Sequence, residues 1–280
     1  MKNVSGVIRR SNSNDFRVLD GSMQVWTGDV YVPFAVEEME CKTVATGSPP
    51  LLHIWRHHQA LVLGLRDRRL PNATGAMQYF ANKGCSVAVR NSGGAAVPLD
   101  AGVVNVSLVL PNAPGAANIH TDFAVMANLI GDTVRLLAAD SAIHVGEIAG
   151  AYCPGDYDLA IDGRKFCGIA QRRKMGGYVL QAFVVVEGSG SRHARTAADF
   201  YRRATAGAET EQGLQVMEGS AASLQELLGS NVTVAQFVDA LRKVSLAGVH
   251  IVDEQSDYTH YSQIDLVNMV HTMKRRYDTD

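Results

Sequence analysis

The pair Asp162-Gly163, set between the runs Tyr157 to Ile161 and Arg164 to Ala170, restricts the fold of this 280-residue chain more than any other feature. Asp and Gly tolerate the positive φ angles of a two-residue primed turn, and the twist of that turn matches two antiparallel strands. A hairpin is therefore predicted here, with Lys165 across from Ala160. Further strands are predicted at Met23 to Val32, in two runs around His57-His58-Gln59 within Leu51 to Leu65, at Ser86 to Val89, Val103 to Leu110 and Tyr178 to Val186. Helices are predicted over Val36 to Val44, ended by Gly47-Ser48-Pro49-Pro50, and over Phe123 to Leu137 behind the N-caps Thr121 and Asp122. From Ala194 onward the pattern is mostly helical, with starts near Ser220 and Thr233 and a last helix from Tyr261 to Arg276. Strands first and helices mostly later predict an α+β protein with a mixed, largely antiparallel central sheet flanked by helices.

A chain this long buries roughly three quarters of its unfolded surface and needs no metal or disulfide to stay folded. The net charge of −2 and the absence of a basic stripe argue against a general nucleic-acid or membrane binder. No apolar run is long enough to span a bilayer, and Met1 to Arg10 lacks the apolar core of a secretory signal. Cys41, Cys85, Cys153 and Cys167 form no C-x-x-C pair and no zinc spacing, which fits reduced thiols in a cytoplasm. One domain over residues 1–280 is expected, with a core of about 25–245, C-terminal helices packed on it and no separate accessory domain.

Two segments can carry chemistry. In Arg90-Asn91-Ser92-Gly93-Gly94-Ala95-Ala96-Val97, glycines between strands let backbone approach a ligand and present N–H groups, and Arg90 adds a charge. The same glycines fit a plain loop that needs positive φ. The segment is neither a Walker loop nor G-x-G-x-x-G. In Ala151-Tyr152-Cys153-Pro154-Gly155-Asp156, a cysteine in a Pro-Gly turn is expected to be exposed, and Lys165 is the natural candidate to favour its thiolate. A lone cysteine is also commonly a small buried hydrophobe. Cys153 precedes Ala160 by seven residues, about 23 Å along a straight strand, so the pair meets only if Pro154-Gly155 turns the chain back. Cys167 is read as a packing position on the hairpin strand. His53, His57 and His58 are read as surface or strand-end histidines rather than metal ligands. Arg172-Arg173-Lys174 is read as a solvated hairpin end or a small basic docking patch, and no G-x-S-x-G is present.

Together these segments resemble the biotin/lipoate ligase and lipoyl/octanoyl-transferase superfamily over about residues 25–245. Arg90 to Asp100 stands as the lipoate-ligase signature, and Asp162 to Gln171 as its later Gly-Lys-Lys-type run. Within it, Tyr152 to Leu159 with Ile169-Ala170-Gln171-Arg172-Arg173 is most similar to the octanoyl-[glycine cleavage H protein]:protein N-octanoyltransferases. The resemblance implies the catalytic fold shared with biotin protein ligases and class II aminoacyl-tRNA synthetases. It implies an acyl thioester on Cys153, and Lys165 lowering the thiol's pKa and orienting the acyl carbonyl. It also implies a substrate-binding set of Arg90, Ser92, Gly93, Gly94, Ala95, Ala96, Val97, Asp100, Gly168, Ile169 and Ala170. Octanoylated H protein would be the donor and lipoyl domains of 2-oxo-acid dehydrogenase subunits the acceptors, with no ATP, metal, nucleic acid or membrane. Pro98-Leu99 where ligases carry Tyr-His, the shortened glycine run and the lack of an accessory domain weigh against an ATP-dependent lipoate ligase. An octanoyltransferase fed by acyl carrier protein would share the Cys153 and Lys165 chemistry, whereas a non-catalytic carrier-binding protein would keep the glycine-rich groove without it.

Overall fold

The computed structural model describes residues 15–112, 119–174, 176–206, 214–229, 231–245, 250–254 and 256–277. Its spine is an eight-stranded mixed sheet built from β1 (Asp15–Trp26), β2 (Leu51–His57), β6 (Val103–Pro111), β7 (His144–Val145), β8 (Leu159–Ile161), β9 (Arg164–Lys174), β10 (Gly177–Val185) and β11 (His250–Glu254), in the order β11-β1-β2-β6-β10-β9-β8-β7. The first two pairings, β11 with β1 and β1 with β2, are parallel and the others antiparallel. A second sheet, β4-β3-β5, joins β3 (Gln59–Leu63), β4 (Ser86–Val89) and β5 (Val97–Asp100).

Strand alternation divides the interior in two. On β6, Val104, Val106, Leu108 and Leu110 face α3 (Ile119–Leu137) and α6 (Val234–Ser245), which pack on one another. Val103 and Val109 face the other way, toward α1 (Tyr31–Ala45), the small sheet and α7 (Gln263–Tyr277). On this second face the alternation is broken by polar side chains, with His53, Asn105, Ser107 and Gln181 at positions that pair across β2, β6 and β10. Helices α2 (Ala73–Asn82) and α4 (Gly190–Ala204) pack behind the small sheet.

The hairpin forms as predicted. Asp162 and Gly163 both have positive φ, at 50° and 69°, and Lys165 pairs with Ala160. The short helix α5 (Leu224–Leu228) starts later than expected, behind a Ser223–Glu226 capping box. Thr233 caps α6 as predicted, with Gln236 returning a bond to its N–H. Other boundaries differ. β1 begins at Asp15 and ends at Trp26, and Tyr31 already opens α1, where Asp29 accepts the Tyr31 N–H. Thr121 and Asp122 lie inside α3 rather than capping it. Asp122 is buried and accepts from Arg173 and, at 3.2 Å, from Gln171. β11 lies in a stretch read as helical; its register with β1 supplies a parallel partner that no local pattern reveals.

Candidate active site

Cys153 sits in a left-handed conformation, φ 48°, where the chain leaves Tyr152 and turns through Pro154-Gly155. Its side chain is not exposed, as the turn had suggested, but only 7% accessible, because the loop after β4 folds over it. The sulfur accepts two hydrogen bonds from that loop, one from Arg90 Nη2 and one from the Ala95 N–H, each 3.2 Å long. Arg90 Nη2 also donates to the Ala95 carbonyl at 3.1 Å. Gly94 makes the approach possible. Its φ is 101°, and a Cβ built there would stand 2.9 Å from the sulfur and closer still to the guanidinium.

The turn does solve the distance problem for Lys165, although the ammonium meets the backbone of Cys153 and not its sulfur. Lys165 Nζ donates to the carbonyls of Tyr152, at 3.0 Å, and Cys153, and to Asp158 Oδ2 at 2.6 Å. Asp158 in turn accepts the Gly155 N–H at 3.1 Å, which closes the loop. Lys165 and Asp158 are both buried, and the ammonium lies above the rings of Tyr152 and Phe183, which stack on each other. Burial is the largest influence on Asp158 and raises its carboxyl to about 6 against the pull of Lys165. Gly168 leaves the room this needs, since a Cβ there would meet Phe183 and stand 3.1 Å from Lys165 Nζ.

Cys153 lies between two cavities. An inner one of about 30 Å³ is lined mainly by Phe34, Trp55, Val62, Val97, Leu99 and Phe183, with Arg90 and Cys153 among its polar lining. An outer groove of about 500 Å³ runs past Gly93, Gly94, Pro154, Tyr157, His120 and Phe123. The inner cavity has further polar groups on the sheet: Ser107 donates to the buried Glu37 carboxylate at 2.7 Å, as Gln181 also does. Sequence reasoning missed this patch. Its signal was present as Asn105 and Ser107 at alternate positions of an otherwise apolar strand.

The remaining residues of the predicted set separate into groups. Val97, Gly168, Ile169 and Ala170 line the inner cavity, and Ile169 and Ala170 reach the groove as well. Ser92 is buried beside Arg90 with a hydroxyl that has no partner among the described residues. Ala96 turns away, and its N–H bonds Tyr201. Asp100 lines neither cavity. Burial would raise its carboxyl, but the bond from His193 at 2.8 Å and the Gly102 N–H overrule this and hold it low.

Cys167 is fully buried as a packing residue, with its thiol pushed well up by burial, as are Cys41 to about 12 and Cys85 to about 11. His53 is buried within β2 rather than at the surface or a strand end, and His57, though buried too, ends that strand as read; His53 bonds Glu37 and Tyr258, and His57 bonds the Gly28 carbonyl. No cluster among the described residues has metal-ligand geometry, and no described helix is long and apolar enough to cross a membrane. Arg172 and Lys174 share the Glu38 carboxylate and Arg173 pairs with Asp122, so all three cations are ion-paired at the hairpin end, with two carboxylates against three positive charges.

Residues 29–245 match the model of the lipoyl protein ligase A/B catalytic domain. The octanoyl-[GcvH]:protein N-octanoyltransferase of Anoxybacillus flavithermus is 38% identical over 225 residues, covering 80% of each chain. The protein of that name from Oceanobacillus iheyensis is 34% identical over 273 residues, covering 94% of this chain and 96% of its own. Among solved structures, a lipoate-protein ligase A bound with ATP superposes with a TM-score of 0.68 at 18% identity, over 95% of this chain and 97% of the other. A putative lipoate protein ligase from T. acidophilum with bound lipoic acid gives 0.67 at 18% identity, with the same coverage. These two likenesses establish the fold, an α+β lipoate-ligase architecture.

Proposed function

The chain belongs to the lipoyl protein ligase A/B catalytic-domain family, and within it to the octanoyl-[GcvH]:protein N-octanoyltransferases, and from that premise we propose a ping-pong transfer of an octanoyl group between protein lysines through Cys153. The donor is octanoylated GcvH, the glycine cleavage H protein, and the acceptors are lipoyl domains of 2-oxo-acid dehydrogenase subunits. The observation that carries this reading is the position of the Cys153 sulfur, shared by a small inner pocket with apolar walls, along which an acyl chain would lie once they part, and an outer groove open to an incoming lysine.

Each half-reaction balances without a cofactor. The sulfur attacks the amide carbonyl, a carbon–sulfur bond forms, the carbon–nitrogen bond breaks, and the thiol's proton ends on the departing lysine amine. The acceptor lysine then attacks the thioester, and its proton returns to sulfur. An amide is exchanged for an amide, so the reaction is near balance and needs no ATP or metal. The helices after residue 190 are read as parts of the same catalytic unit, working in the cytoplasm.

Intact-mass analysis after incubation with octanoylated H protein tests the reading. A single octanoyl adduct is expected, discharged by a lipoyl domain and absent in Cys153→Ser. No adduct on the wild type, or one that survives Cys153→Ser, would overturn it. Offering octanoyl-acyl carrier protein in competition decides the donor, and pyrophosphate release with free lipoate would mark a ligase instead.

A further inference from the structure

Two cations flank Cys153, and their hydrogen bonds separate their duties. An ammonium has three N–H donors and no more. Lys165 spends all three, on the carbonyls of Tyr152 and Cys153 and on Asp158. It has none left for sulfur, and its charge is already paired with a buried carboxylate.

Arg90 is the opposite case. Its side chain is buried, yet among the described residues no carboxylate lies within ion-pair distance of its guanidinium, and its Nε has no partner. The acid it senses is Asp67, whose oxygens are taken by the Gly64 N–H and the Tyr201 hydroxyl, both at 2.8 Å. Asp67 is thus a counter-ion at a distance, and a desolvated cation with no carboxylate in contact still favours an anion brought to it. The atom it does touch is the Cys153 sulfur, and the Ala95 N–H supplies a second donor to that sulfur.

We propose that Arg90, with the Ala95 N–H, is the catalytic group that holds the negative charge of the Cys153 sulfur, whereas Lys165 with Asp158 is a positioning pair that pins the left-handed Cys153 turn. The inference deepens the transfer reading and rests on it for its place in the reaction. The charge sits on sulfur twice, before it attacks the donor amide and again when the acceptor amine expels it from the thioester. One pair of donors therefore serves both half-reactions. Lys165 holds the backbone where these donors reach, against a conformation that costs on the order of 1–3 kcal/mol for a residue with a side chain.

The test is the pH profile of Cys153 alkylation by iodoacetamide, followed by mass, which requires no acyl carrier. Arg90→Met is expected to slow alkylation at neutral pH by about 10- to 150-fold, the worth of a charged hydrogen bond. The deficit should close as pH rises and the thiolate forms unaided. Arg90→Lys keeps a charge without the fork and should fall between; it also decides the matter if Arg90→Met does not fold. Lys165→Met should lower thermal stability and acyl transfer while its folded fraction keeps the wild-type alkylation profile. A shifted profile in Lys165→Met beside a wild-type profile in both Arg90 variants would overturn the proposal. If the alkylation results hold but no octanoyl adduct ever forms, the transfer reading has failed and the assignment of Arg90 to the sulfur stands.

Discussion

Gly94→Ala tests the construction of the site most directly, because one methyl group is asked to fit where two functional atoms already stand. At φ 101° an alanine is strained, at about 1–3 kcal/mol. Its Cβ would also lie 2.9 Å from the Cys153 sulfur and nearer to the Arg90 guanidinium, so one or both must move. Losing the bond from guanidinium to sulfur is worth about 1.5–3 kcal/mol, or roughly 10- to 150-fold in any step that depends on it. The variant is therefore expected to unfold at lower urea and to form the octanoyl adduct at least tenfold more slowly. Gly93 is the internal control. A Cβ there meets nothing within 4 Å, so Gly93→Ala should lose far less in alkylation rate than its neighbour. Equal losses at the two glycines, or wild-type adduct formation in Gly94→Ala, would refute the claim that this loop acts through contact with sulfur.

Two further outcomes follow from the same geometry. Asp158 takes up a proton at about 6, which removes the carboxylate partner of Lys165, so the adduct-formation rate should steepen in its fall below that pH and Asp158→Asn should lose the extra dependence. That fall is not unfolding: a carboxyl raised above its ordinary value binds its proton more readily in the folded chain, so this group's contribution to stability rises as pH drops from about 6 toward 4. Thermal unfolding across the same range checks the distinction. Val97→Phe fills the inner cavity at an overpacking cost of about 1–3 kcal/mol, and octanoyl adduct formation should collapse while iodoacetamide still labels Cys153. Undiminished octanoyl transfer would mean that the acyl chain lies elsewhere.

What could be read in the sequence is what local chemistry decides. The Asp162-Gly163 turn was legible because two adjacent residues set its φ angles, and with it came the pairing of Lys165 with Ala160. β11 was not legible, because its pairing of His250 with Asp15 joins opposite ends of the chain and five residues carry no pattern of their own. The burial of Cys153 depends on Ala95 and Arg90, about sixty residues earlier, and a Pro-Gly turn read by itself points to the surface. Lys165 illustrates the same limit. Sequence brought it to the right turn but could not show that Tyr152, Cys153 and Asp158 together exhaust its donors.

A buried nucleophile carries a chemical advantage that an exposed one lacks. A thioester on an accessible cysteine competes for water at every moment, and transfer succeeds only if amine outruns hydrolysis. Here the sulfur faces apolar walls on its inner side and is nearly closed off between the Gly94 loop and the Pro154 turn. The outer groove reaches the sulfur past Tyr157, Phe123 and the glycines, with His120, Asp156, Gln171 and Arg173 as its polar lining. Such burial would ordinarily disfavour a thiolate, as it does for Cys41, Cys85 and Cys167. At Cys153 the Arg90 guanidinium and the Ala95 N–H both donate to the sulfur. The Arg90 guanidinium and the enclosed thiol thus belong to one arrangement, in which charge that develops on the sulfur during transfer is met by a donor rather than by water.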